Sequence, residues 1–183
     1  MSIAPEEERF AKNVGIMSQL ILDGTRKLYD AGYKTVDPST IALATTIIST
    51  FDKHHLIRGF IENSHEKCWD KMKERDEVFF VENANSIFKF LPMDKINLFK
   101  DLFLTKDKQG NSVIAPAVKK QVWELFDAMI KISIKYIHKH RSPYSYSTPT
   151  GVINTYNTEF YEKVDLSRHS QVWNVKLDFL PKC

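Results

Sequence analysis

Residues 115–141 read APAVKKQVWELFDAMIKISIKYIHKHR, and their spacing decides what kind of fold this is. Set at ~100° per residue, Val118, Val122, Leu125, Phe126, Met129, Tyr136 and Ile137 fall on one broad side, the i, i+4, i+7 pattern of a buried helical face. Lys131, Lys135 and His138 fall on the opposite side, with Lys139 beside them. Pro116 suits a first helical turn, where its missing N–H is not needed. The cationic end from Lys135 to Arg141 suits a C-terminus, where unpaired carbonyls favour positive charge. Pro143 and the Ser-rich run behind it close the pattern. The stretch predicts one long helix, Ala115 to Arg141, with an apolar face and a basic end. Such an end is either a solvated terminus or a patch that meets a phosphate, an acidic protein or an anionic surface.

The charge balance around it sharpens that choice. The chain of 183 residues carries a net charge of +3. Residues 1–114 hold −1, residues 115–141 hold +4, and residues 142–183 hold 0. The long helix therefore carries the whole cationic excess, although a committed DNA-binding domain is usually far more basic. Apolar content of 43% with twelve Phe is not a disordered composition. Two cysteines, Cys68 and Cys183, do not make a disulfide scaffold, and the expected setting is a reducing, intracellular compartment. The first ten residues, MSIAPEEERF, are acidic and show no signal-peptide core. No apolar run approaches the ~20 residues of a membrane span.

Upstream, the pattern is helical throughout. A first helix runs from about Pro5 to Ala31, with Glu6, Glu7 and Glu8 in its first turn and Phe10, Val14, Met17, Ile21 and Leu28 as its stripe. Gly32 is a natural residue to end it. Gly15 and Gly24 weaken its interior by ~1 kcal/mol each relative to Ala, with close packing against a neighbouring helix as the expected offset. Asp37-Pro38 starts a second helix, about 38–52, followed by a shorter one at 53–62, unless the two run on continuously through His54-His55. Ser64 is placed as the cap of a helix through about Val81, with Trp69, Met72, Phe79 and Phe80 inward. Asp94 caps a helix over 95–104, with Met93 and Leu98 spaced as a hydrophobic staple. Residues 105–112, TKDKQGNS, form a polar turn-rich loop.

Past Arg141 the texture changes. SPYSYSTPTG has no periodicity and reads as a linker or a laid-down arm. In QVWNVKLDFL, Trp173, Val175, Leu177 and Phe179 alternate with polar residues, which predicts a strand over 171–180. Residues 152–156 are a weaker candidate partner strand. The expected architecture is mainly α: an irregular bundle of five or six helices over 1–141, and a C-terminal extended or β arm over 142–183.

No nucleotide-binding loop, nucleophile elbow or metalloprotease motif occurs. His65 and Cys68 are i, i+3 neighbours, but no second ligand pair supports zinc, so neither a metal nor a cofactor is expected. Asp70, Glu74, Asp76, Glu77 and Glu82 each have a nearby Lys or Arg, which favours a solvated charged face over an acid–base pair. Cys68 would need a positioned histidine to act as a nucleophile, and reads as core or half-buried.

Two segments, KERDEVFFVENANSIFKFLPMDKINLFKDLF (73–103) and QVWELFDAMIKISIKYIHKHRSPYS (121–145), resemble uncharacterised small helical proteins of large nucleocytoplasmic DNA viruses. The resemblance rests on Lys/Asn/Ile/Phe-rich helical texture and covers about a third of the chain. It implies a virion or host-cell setting and transfers no catalytic residue. The resulting expectation is a non-enzymatic structural or interaction protein with a protein partner or self-association. Lys131, Lys135, His138, Lys139 and Arg141 are its anion- or partner-binding candidates, and Trp173 and Phe179 its arm anchors, unless these aromatics cover the protein's own bundle. The alternative is a nucleic-acid-binding accessory protein using the basic patch at 131–141, with Tyr144 and Tyr146 available for stacking.

Overall fold

Pro116–Arg141 forms one continuous helix of 26 residues, and the first helix packs along it more extensively than any other element. The computed structural model describes residues 5–33, 37–64, 67–89, 93–141, 161 and 163–177. Their helices are α1 (Pro5–Asp30), α2 (Pro38–Ser49), α3 (Lys53–Ser64), α4 (Lys67–Lys73), α5 (Glu77–Ile87), α6 (Met93–Leu104), α7 (Pro116–Arg141) and α8 (Leu166–Val172). The fold is mainly α, with no strand among the described residues; the one isolated bridge, Lys106 with Ser112, closes the loop before α7.

The apolar pattern of α7 accounts for its central place. Val122, Phe126, Met129, Tyr136 and Ile137 are buried as the spacing requires, and Trp123, Ile130, Ser133 and Ile134 are buried as well. Water reaches it mainly along a stripe through Lys120, Glu124, Lys131, Lys135 and Lys139. α1 runs antiparallel beside it: Glu6 meets Lys139 at one end, while Leu28 and Val118 line the same groove at the other. Phe80 of α5 ties in the far side. Its ring centroid lies 5.0 Å from Phe126, 5.4 Å from Trp123 and 6.2 Å from Phe103, the separations at which aromatic rings attract through edge contacts.

Helix ends follow local chemistry. The Asp37 carboxylate accepts from the Ser39 N–H at 2.9 Å, and Pro38 fills the first turn. The Ser39 hydroxyl, which also donates to this carboxylate, and then the backbone bond hold the Asp37 carboxyl below its usual pKa. Gly32, at φ 99°, ends α1: its N–H donates to the Tyr29 carbonyl and the Tyr33 N–H to the Leu28 carbonyl, the paired bonds of a left-handed C-terminal cap.

Several expectations are corrected. The single helix expected from Ser64 to about Val81 is two helices. Arg75 takes φ 58°, closes α4, and lets Asp76 cap α5 by accepting from the Phe79 N–H. Ser64 ends α3 instead of capping α4. Its hydroxyl donates to the Phe60 carbonyl and accepts from Trp69 Nε1 at 3.0 Å. Gly15 and Gly24 do not face a close neighbour, since a Cβ at either would meet nothing within 4 Å. In place of the expected strand over 171–180, Gln171 and Val172 end α8, Asn174 at φ 52° turns the chain, and 175–177 take no regular form. α6 begins at Met93; the Asp94 cap and Leu98 staple lie outside the described side chains. Residues 152–156 and 178–180 also lie outside the described residues.

Candidate functional site

The outer edge of α7 is the first candidate. Lys131 and Lys135 are exposed one turn apart, and neither has an ion-pair partner among the described residues. The two acids of the same helix are engaged elsewhere: Asp127 by Arg75 at 2.6 Å and Glu124 by Lys120 at 3.9 Å. Lys139 continues the edge, but its ammonium is held 2.8 Å from the buried carboxylate of Glu6, so it fastens α7 to α1. His138 is half-buried, and the Arg141 side chain lies outside the described residues. The five basic candidates thus divide. Two present charge that no described acid matches, and one is committed to the fold.

At the same end of α7 lies a polar cluster that sequence reasoning missed. His54 Nδ1 is 2.7 Å from Glu7 Oε1 and 2.9 Å from the Tyr136 hydroxyl, which lies 3.4 Å from the same carboxylate oxygen. Arg58 NH1 approaches His54 Nε2 at 3.4 Å. Because the guanidinium can only donate, Nε2 is the accepting nitrogen and Nδ1 carries the proton given to Glu7. The His140 ring stacks on Tyr136 at 3.9 Å and donates through Nδ1 to the Tyr136 carbonyl at 2.9 Å. Tyr161 closes the cluster edge-on to Tyr136 at 6.2 Å. Burial raises both phenols: Tyr136 far above its usual value, and Tyr161 to about 12. Burial holds His140 below the usual histidine value. One signal was available in the sequence: a tyrosine on the apolar face of a helix must find its hydroxyl a partner.

The arm anchors separate too. Trp173 is 2% exposed, with Lys73 Nζ over its ring at 4.7 Å, so it covers the protein's own core and does not project toward a partner. Phe179, Tyr144 and Tyr146 lie outside the described residues. Cys68 is half-buried and burial pushes its thiol up, away from nucleophile character. Asp70 pairs with Arg168, and Glu74 with Lys71 at 3.1 Å, as solvated ion pairs do. Among the described residues no group of three His, Cys, Asp or Glu is placed to hold a metal ion. No described helix is long and apolar enough to cross a membrane.

An apolar groove of about 270 Å³ lies at the other end of the α1–α7 pair. Ile21, Leu28, Phe103, Val118 and Val122 form its walls, with Lys27 and Gln121 at the rim. No family model, curated protein or solved structure matches the chain.

Proposed function

We propose that this is a non-enzymatic interaction protein that docks an acidic segment of a partner protein along the outer edge of α7. The observation that carries the reading is the pair Lys131 and Lys135, exposed at i, i+4 on the solvent-facing stripe of α7, with both acids of that helix engaged by other cations. Two lysine stems rooted one turn apart on one helix present their charge to the same side, and charge complementarity of this sort sets orientation and on-rate more than affinity. The virion-associated setting implied by the resemblance, and the reducing compartment expected from the two cysteines, belong to the same proposal.

Fluorescence polarisation with a labelled Asp/Glu-rich peptide of about ten residues tests it. Binding should weaken about tenfold between low and moderate salt, as exposed charges are screened over a Debye length of ~10 Å. A Lys131→Glu/Lys135→Glu variant should lose at least about tenfold in affinity, worth ~1.4 kcal/mol, and melt within ~0.5 kcal/mol of the parent because both sites are exposed. Equal peptide binding by parent and variant defeats the reading. Preference for a single-stranded oligonucleotide of equal charge would transfer the edge to nucleic acid.

A further inference from the structure

We propose that the groove between α1 and the start of α7 binds a medium-chain fatty carboxylate, its acyl chain along the apolar walls and its head at Lys27. The groove is separate from the exposed edge of α7, and the proposal stands whether or not that edge docks a partner.

Three parts of the fold build the walls. α1 gives Ile21 and Leu28, α7 gives Val118 and Val122, and Phe103 comes from the end of α6. Phe103 and Val122 are buried, whereas Ile21, Leu28 and Val118 are only half-buried. The fold thus leaves apolar surface uncovered that an apolar chain would remove from water. Gly24 lines the same groove. Glycine is disfavoured inside a helix, and a close neighbour is the usual reason to keep one. Here there is none, because a Cβ at Gly24 would meet nothing within 4 Å. What the missing side chain preserves is the open space of the groove.

Size and charge select the occupant. An apolar cavity of ~150 Å³ holds a six-carbon ring. In proportion, the 270 Å³ here takes a chain of about ten carbons. At the rim, Lys27 is exposed and has no ion-pair partner among the described residues. Gln121, also at the rim, adds amide donors. Asp23 is the acid among the described lining residues, and its carboxylate already accepts from Gln19 Nε2 at 2.9 Å. An unmatched ammonium and an amide beside an apolar slot suit a head that is anionic and accepts hydrogen bonds, with an apolar stem behind it.

Calorimetric titration of the full chain with decanoate at pH 7.5 tests the site. One decanoate should bind per chain, and octanoate about tenfold more weakly, since each buried CH₂ is worth about fourfold. Lys27→Met keeps the stem and removes the charge. It should weaken decanoate by about threefold or more and leave decanol unchanged. Gly24→Leu should fill the groove and cost decanoate at least about tenfold, with a thermal midpoint no lower than the parent's, because leucine is the better helix former. Lys131→Glu/Lys135→Glu should bind decanoate as the parent does, which separates this site from the edge of α7. Absence of binding, or binding without a fixed stoichiometry, overturns the proposal, and so does full affinity in Gly24→Leu. Decylamine bound as tightly as decanoate overturns the assignment of the head to Lys27. A leucine-rich peptide that binds where decanoate does not would give the groove to a protein partner and overturn it too. If Gly24→Leu does not fold, NMR of the parent decides: decanoate methylenes should contact the methyls of Ile21, Leu28 and Val118, and contacts elsewhere alone overturn the site.

Discussion

Arg75 shows how one residue can hold a conformation its own backbone disfavours. At φ 58° an L-residue with a Cβ gives up about 1 kcal/mol relative to glycine. Its side chain offsets this by reaching across to α7: two bonds to the Asp127 carboxylate at 2.7 and 2.6 Å, a third to the Trp123 carbonyl at 3.1 Å, and a guanidinium over the Trp123 ring. Arg75→Ala keeps the strain and loses every contact, so urea melts should show a loss of about 1–2 kcal/mol. Arg75→Gly loses the same contacts but relieves the strain, and should recover about 1 kcal/mol of that loss. A glycine variant less stable than the alanine variant would disprove the backbone account. Titration adds a second test at this scale. The pKa of His140 is lowered below its usual 6.5, so the unfolded chain binds more protons as the pH falls through that value, and stability falls with it. Tyr161 is raised from 10.0 to about 12, so stability present below pH 10 is lost as the pH rises toward 12. Thermal melts should therefore decline below about pH 6.5 and above about pH 10. His140→Phe should flatten the acid decline and Tyr161→Phe should soften the alkaline one; unaltered limbs would assign them to other groups.

Elements were legible in proportion to how long and regular they are. α7 and α1 show their periodicity over 26 residues each, and their observed bounds fall within a residue of those read from spacing. The cap at Asp37-Pro38 and the stop at Gly32 were visible because those residue types have few other local uses. The α4–α5 break was invisible because it depends on a left-handed arginine, which carries no breaker signature and is held by a partner 52 residues away. The polar cluster was hidden for the same reason. Glu7 and His54 are 47 residues apart and Glu7 and Tyr136 are 129 apart, so no local spacing joins them. Alternation over 171–177 misled because Trp173 and Val175 are buried by a helix end and a turn, which place side chains inward without a strand. The glycines of α1 test element-level reasoning directly. With nothing within 4 Å of a Cβ placed at either site, Gly15→Ala and Gly24→Ala should each stabilise by up to about 1 kcal/mol through helix propensity alone. Gly32→Ala should cost about 1 kcal/mol, since its φ of 99° suits only glycine. If all three substitutions shift the denaturation midpoint the same way, the distinction between interior and cap is wrong.

At the scale of the whole molecule, the question is whether the chain after α7 is an appendage or part of the fold. Tyr161, Val164, Leu166, Trp173 and Val175 belong to the same buried cluster as Phe10, Phe60, Trp69, Phe126 and Ile137. They cover α4 and the C-terminal half of α7 with apolar side chains, each worth about 1.5–3 kcal/mol when fully removed from water. Part of that gain is spent on ordering the returning chain, at about 1–2 kcal/mol per residue of backbone. What remains is set by how much of Trp69 and Tyr136 is uncovered without it. His169 packs edge-on to Trp69 and Tyr161 edge-on to Tyr136, so two large aromatics of the main bundle lose a covering ring together. A truncation ending at Arg141 should therefore lose a few kcal/mol and melt roughly 10 °C lower, at about 2–4 °C per kcal/mol for a chain of this size. It should also expose enough apolar surface to bind a dye such as ANS at neutral pH. An unchanged midpoint with no dye binding would make residues 1–141 a self-sufficient unit and the returning chain a free arm, whereas a lowered midpoint rescued by adding a 161–183 peptide in trans would show the contacts themselves to be what is lost.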